Sequence, residues 1–301
     1  MNEVNNSYAE FIKNVGILTI TVNGTDWYNY RKFMVPAYLP HCVPLISRET
    51  AYEVLKKSGN LFVRWDENFS EMIDSQWWYI LRKAPWDIAD IKDKKKRWMV
   101  KRGEKAFNVR PLGFDEVIRF CPVTAKAAAT RYKGQKDVET KEILESRVAA
   151  ALKVPGVLEY LGCFYKGKMA AYAENYIQAN AVWLAVIRYD PEYLSMYSSY
   201  GFLNGILNYY LNERKMSFVL DACRSIHHKT NFQEHLIRVF GFTKEYARLN
   251  ILYSPAFGKT VKCAYPFRNF FWKGSEYLNN SILDNVSAVL RQEQIRRSCG
   301  T

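Results

Sequence analysis

No glycine-rich phosphate loop, no His-Glu-x-x-His and no Gly-x-Ser-x-Gly occurs in the 301 residues. That excludes kinases of the common kind, zinc peptidases of that class and α/β-hydrolases, since each chemistry needs those residue types at that spacing. Long apolar runs are also missing: Ala181–Ile187 falls far short of the ~20 residues that cross a bilayer. The first ten residues are Asn-rich and acidic, unlike a secretory signal with its basic start and apolar run. Six cysteines (Cys42, Cys121, Cys163, Cys223, Cys263, Cys299) form no Cys-x-x-Cys pair and have no histidine at ligand spacing. This speaks against a metal site and a disulfide scaffold, and for reduced thiols in a cytoplasmic protein. Internal repeats and low-complexity segments are absent.

What is present is an ordinary globular composition, 49% hydrophobic and 24% charged, in a chain longer than the ~100–200 residues of one domain. Two lobes are expected. The net charge of +13 calls for an anionic partner: a nucleotide cofactor, tRNA, an anionic glycan or phosphorylated sugar, or a membrane surface. The densest charge lies between Asp90 and Arg110, where nine bases face three acids. Trp98, Met99 and Ala106 give this segment a thin apolar stripe, and Asn108–Leu112 reads as the strand after it. A solvated helix face is the plain reading of that run. Contact with RNA or an anionic lipid carrier is the functional one.

Local signals punctuate the rest. Ile17–Val22 reads as a strand ending at the Asn23-Gly24 turn. Arg48–Lys57 reads as a short helix with Gly59 as its cap, followed by a strand over Asn60–Trp65. Phe114–Leu152 reads as a helical link between the lobes, with breaks at Pro122 and Gly134, and Pro155-Gly156 marks a boundary. Beyond it, Val157–Phe164 and Met169–Gln178 form a hairpin about Lys166-Gly167, and Ala181–Ile187 follows as a strand. Then come a loop at Pro191 and Glu192, a helix over Gly201–Leu211, a short strand over Met216–Leu220 and a polar loop over Asp221–Lys229. A helix capped by Thr230 and closed by Gly241, and a strand over Ala247–Tyr253, complete the order. A helix between two strand runs implies parallel pairing there, within an α/β sheet that is otherwise antiparallel.

This order resembles the core of the GNAT fold. The stretch Met216–Asp221, Thr230-Asn231, Leu236 and Phe240-Gly241-Phe242 looks like the ending of that fold: strand, polar loop, helix, then Phe-Gly-Phe before the last strand. Upstream, Lys94–Arg110 is similar to the basic helix and strand of FemAB-like and related acetyltransferase-like proteins, which carry two GNAT-like lobes. The resemblance spans about Asn60 to Tyr253. It implies a mixed sheet with helices on both faces, and an N-acyltransferase that uses an acyl-CoA co-substrate or an aminoacyl-tRNA and an amine acceptor, with no metal. GNAT proteins that bind acetyl-CoA usually carry an Arg/Gln-x-x-Gly-x-Gly/Ala loop, whose amides hold the pyrophosphate. Here the corresponding stretch, Tyr197–Phe202, has one glycine and no arginine at that spacing. FemAB-like proteins also lack the full motif.

Acyl transfer to an amine needs a base for the amine proton and a group to hold the oxyanion or protonate the leaving group. The polar loop from Asp221 to Asn231 should lie at the carboxyl edge of the sheet, where ligands of such folds collect. Asp221 or His227 is a candidate base there, and Arg224, Lys229 and Asn231 are candidate donor-binding residues; a solvated loop with a structural Asp221 is the plain alternative. Ser198, Ser199, Tyr200 and Gly201 precede a helix and could offer amides to an anion, or Ser could simply cap it. Glu174 lies in a strand of Ala, Tyr and Ile, where a carboxylate either faces solvent or points into a cleft as a base. The expected organisation is an N-terminal α/β lobe (1–125), a helical link (126–155), a C-terminal GNAT-like domain (156–260) and a helical tail (261–301). Two other readings remain open: a non-catalytic binding or scaffold protein of the same fold, and an RNA-binding protein using the basic helix.

Overall fold

A computed structural model describes residues 6–72, 74–130, 138–226, 231–278 and 281–299. In chain order the regular elements are α1 (Ser7–Asn14), β1 (Thr19–Val22), β2 (Thr25–Tyr30), β3 (Phe33–Pro36), α2 (Arg48–Ser58), β4 (Phe62–Met72) and β5 (Trp78–Lys83). They continue with α3 (Lys94–Ala106), β6 (Asn108–Pro111), α4 (Phe114–Ala129), α5 (Lys141–Lys153), β7 (Leu158–Tyr165), β8 (Lys168–Gln178) and β9 (Ala181–Tyr189). The last are α6 (Ser198–Leu207), β10 (Phe218–Cys223), α7 (Phe232–Phe240), β11 (Thr243–Tyr253), α8 (Pro255–Ala264), α9 (Arg268–Leu278) and α10 (Ser281–Ser298). The chain forms two compact units, each discontinuous in sequence. Unit 1 is Met1–Tyr79, Cys223–Asn231 and Lys244–Thr301, and unit 2 is Ile80–Ala222 and Phe232–Thr243.

Unit 1 runs β1-β2-β3-β4-β11 across its sheet. The β1–β2 hairpin closes at Val22↔Thr25 through Asn23 and Gly24, both at positive φ, as a primed two-residue turn requires. Ser47 caps α2 by accepting from the Thr50 amide, and Gly59 ends it in the left-handed region. This helix carries the chain from β3 to β4, which pair in parallel at Phe33↔Phe62 and Met34↔Val63. Ala51, Val54 and Leu55 of α2 pack with Trp27, Met34 and Trp65 in the core below it.

Unit 2 repeats the plan. Its strands run β5-β10-β9-β8-β7-β6; β6 to β9 are antiparallel, and α6 carries the chain to β10, which is parallel to β9. In each unit, then, an antiparallel meander is followed by a helical crossover to a parallel strand. Side-chain size alternates along β8 with period two. Ala171 and Ala173 leave room on one face for α6, where Phe202 packs edge-on to Tyr189 at 6.1 Å. Tyr172, Glu174 and Tyr176 stand on the other face, which α4 and α5 cover. This is a mixed α/β sheet with helices on both faces.

Several sequence expectations change. α4 and α5 lie within unit 2, and Pro122 sits inside α4. Pro191–Met196 is a 3-10 helix, and α6 begins at Ser198, three residues before Gly201. β10 extends to Cys223, so Asp221 belongs to a strand and not to a loop. No described helix is long and apolar enough to cross a membrane.

Candidate active site

The site sits in unit 2, where two strands part. β9 pairs with β8 along its whole length, with a register shift between Glu174 and Asn175 that leaves Ala185 as the extra residue. Such a bulge bends and twists the strand that carries it. Against β10, β9 pairs only through Phe218↔Ala181, Val219↔Val182 and Leu220↔Trp183. Past that point β9 runs on to Tyr189 without β10 beside it. The two strands therefore fork directly after Leu220.

Asp221 is the first residue beyond the fork. Leu220 shares a face with Trp183 and Tyr176, so Asp221 points to the opposite one, towards α6 and α7. It is 8% exposed. Gln233 of α7 donates its side-chain amide to Asp221 Oδ2 at 3.1 Å and to the Ala222 carbonyl at 3.0 Å. Burial pushes the Asp221 carboxyl up to about 6, opposed by its bonds from Gln233 and the Ala222 amide. A carboxylate held there is ionised at neutral pH and still basic enough to take a proton.

α6 and α7 meet through Tyr200, whose ring is edge-on to His235 at 5.1 Å. Lys96 of α3 donates to Tyr200 Oη at 3.1 Å. Burial, with Lys96 and Arg238 nearby, pushes His235 down to about 4, so its ring is neutral at physiological pH, and its buried Nε2 has no partner. Ser198 Oγ and Asn175 Oδ1 are likewise buried without partners. Buried polar atoms are normally paired, and these three are exceptions.

Gly201 has a different task from the one its sequence context suggests. A Cβ on Gly103 would lie 2.5 Å from the Tyr197 carbonyl and 2.6 Å from the Gly201 amide nitrogen, and one on Gly201 would lie 2.6 Å from Gly103. The two glycines let α3 and α6 cross backbone to backbone. The Tyr200 and Gly201 amides both donate to the Tyr197 carbonyl. The first turn of α6 is thus occupied by α3 and by its own cap, leaving a poor cradle for a pyrophosphate.

Glu174 lies on the sheet face opposite Asp221 and is 1% exposed, which corrects the solvent-facing reading. Its oxygens accept from Arg147 at 2.7 Å, Tyr160 at 2.8 Å and Tyr176 at 2.6 Å. Beside it Arg188 grips Glu139 with two bonds, at 2.9 and 2.6 Å. Three donors on one carboxylate describe a structural ion pair, not a cleft base. Arg224 and Asn231 belong to unit 1, where Arg224 donates to the carbonyl and side chain of Gln76 and Asn231 is exposed. His227 and Lys229 lie outside the described residues. Among the described residues no group of three or more His, Cys, Asp or Glu could hold a metal.

Sequence reasoning missed Gln233 and His235. Both lie on a helix with a strong apolar stripe, where polar residues read as its wet side. Only the packing of α7 on α6 and β10 shows that one buries an amide and the other a ring nitrogen.

No protein-family model matches the chain, and no curated protein does. Solved structures do match. FemX aligns at a TM-score of 0.54 over 79% of this chain and 88% of its own, at 7% identity. The C-terminal domain of a protein assigned as a lysylphosphatidylglycerol synthetase, from Agrobacterium fabrum, aligns at 0.54 over 83% and 88%, at 8% identity. A conserved protein of unknown function from Bacteroides thetaiotaomicron aligns at 0.53 over 83% and 91%, at 11% identity. At such identities the likeness is one of fold, and the fold of this chain is the GNAT-like one it shares with FemX.

Proposed function

We propose that the protein transfers an aminoacyl or acyl group from an activated donor to an amine, with Asp221 as the base. The observation that carries this reading is the Asp221 carboxyl at the β9–β10 fork, buried, held by Gln233 and raised to about 6. The amine attacks the donor carbonyl, and Asp221 takes the proton that the new C–N bond displaces. Tyr200, whose oxygen already accepts from Lys96, keeps its own proton to give to the leaving group. No covalent enzyme intermediate is required.

Between the two donors, the α3–α6 crossing at Gly103 and Gly201 disfavours a CoA pyrophosphate at the start of α6. The net charge of +13 supports a larger polyanion, an aminoacyl-tRNA. The test is discharge of aminoacyl-tRNA by the purified protein with a panel of amines, beside calorimetric titration with CoA and acetyl-CoA. Binding of neither donor, or equal transfer by an Asp221→Asn variant, sinks the proposal. The crowded start of α6 also favours a second reading, a non-catalytic protein of the same fold, and donor binding without turnover would support it.

A further inference from the structure

Unit 1 carries a surface that the chemistry proposed for unit 2 does not use. From Pro255 to Lys273 the chain holds four bases (Lys259, Lys262, Arg268, Lys273) and no acid, with six aromatic residues among them. α8 and α9 fold this stretch into two helices joined by a 3-10 turn at Tyr265–Phe267. Between them lies a cavity of about 710 Å³ lined by Lys259, Thr260, Cys263, Phe267, Phe270 and Phe271. Its rim is apolar and wet: Phe267 is 64% exposed, Phe270 is 74% exposed, and Ile282 at the start of α10 is 70% exposed. Lys259, Lys262 and Lys273 are exposed beside them. Apolar exposure on this scale, with exposed lysines beside it, marks an interaction surface.

We propose that this surface lies on an anionic membrane, with Phe267 and Phe270 in the headgroup–acyl boundary and the lysines against the lipid phosphates. Charge complementarity selects the occupant. A second copy of the chain would bring the exposed Lys259, Lys262 and Lys273 against their own counterparts in a self-complementary contact, which repels. A lipid surface of negative potential attracts the same lysines. The helices are too short and too polar to span a bilayer, so they lie in its plane, as amphipathic anchors do.

The test is co-sedimentation of the full chain with phosphatidylcholine vesicles, with and without phosphatidylserine. Binding is expected only with phosphatidylserine and is weakened by salt. A Phe267→Ser/Phe270→Ser variant and a Lys259→Glu/Lys262→Glu variant should each bind at least about tenfold more weakly. All four side chains are exposed, so neither variant should disturb folding, and the two attack different parts of the interaction. Equal binding to both vesicle types, no binding to either, or variants that bind like the parent would overturn the proposal. So would a dimer that the phenylalanine variant converts to monomer without any effect on vesicles.

Discussion

Replacing Asp221 by asparagine should raise stability and abolish transfer, and the size of the first effect should depend on pH. An aspartate ordinarily titrates near 3.8, and burial in unit 2 pushes Asp221 to about 6. The folded state therefore holds this proton more tightly than the unfolded state. Below about 3.8 the carboxyl is neutral in both states and burial carries no penalty. As pH rises through about 6 the folded protein must ionise a buried group, and stability falls until both states are charged. Roughly 2 units of difference correspond to ~3 kcal/mol. Asparagine keeps the shape and never ionises, and its side-chain oxygen can still accept from Gln233. Urea unfolding of the parent and Asp221→Asn should give similar midpoints near pH 4 and a variant more stable by up to ~3 kcal/mol near pH 8. Amine transfer should fall by ~10²–10⁴-fold in the variant, the usual worth of a positioned base. In the parent, kcat/KM should rise with pH through about 6, the value of the Asp221 carboxyl. A variant no more stable near neutral pH than in acid, or one that is less stable, refutes the burial argument.

Glu174→Gln leaves one accepting oxygen where Tyr160 and Tyr176 donate to two, and leaves Arg147 without its charge partner. Arg147 is a quarter exposed, so the loss should sit at the low end of ~3–5 kcal/mol, read from the urea midpoint. Gly103→Ala would ordinarily stabilise a helix by ~1 kcal/mol; here its Cβ meets the Tyr197 and Gly201 backbones, and a loss of ~1–3 kcal/mol is expected. An increase in melting temperature would show that α3 and α6 do not cross there. Lys96→Met removes the second cause of the low His235 value, so an NMR titration of that ring should move up towards the ordinary histidine range, while the pH dependence set by Asp221 stays where it was.

The parts legible in the sequence were those specified by neighbours in the chain. Asn23-Gly24 announces its hairpin, Gly59 its helix end, and Lys94–Arg110 its helix and strand, because each depends on residues within one turn or two. The α6 crossover was legible too, and with it the parallel β9–β10 pair. What escaped depends on distant partners. β4 runs on to Met72 through Asp66, Glu67 and Asn68, which read as a strand's end; Asp66 is tolerated there because the Trp77 indole and the Tyr79 hydroxyl donate to it. β10 takes in Asp221 for the same kind of reason, with Gln233 twelve residues on. The discontinuity of both units follows from β11 returning beside β4, which no local signal foretells.

The two units also explain why chemistry is assigned to only one of them. Each has an antiparallel meander, a crossover helix and a short parallel pair, so each has a fork. In unit 1 the parallel pairing ends at Met34↔Val63, and the first residue beyond it is Arg64. Its guanidinium lies 5.0 Å from the Phe33 ring and 5.4 Å from that of Trp77 and donates to Gln292 at 2.9 Å. A guanidinium held between two aromatic faces is no proton acceptor. In unit 2 the first residue beyond the pairing is Asp221, which faces the crossover helix α6 and accepts from Gln233, whereas Arg64 faces away from α2. An Arg64→Ala variant should therefore lose stability, through the aromatic packing and the Gln292 bond, while its pH dependence of transfer stays that of Asp221; a shifted profile would move the reacting base to unit 1.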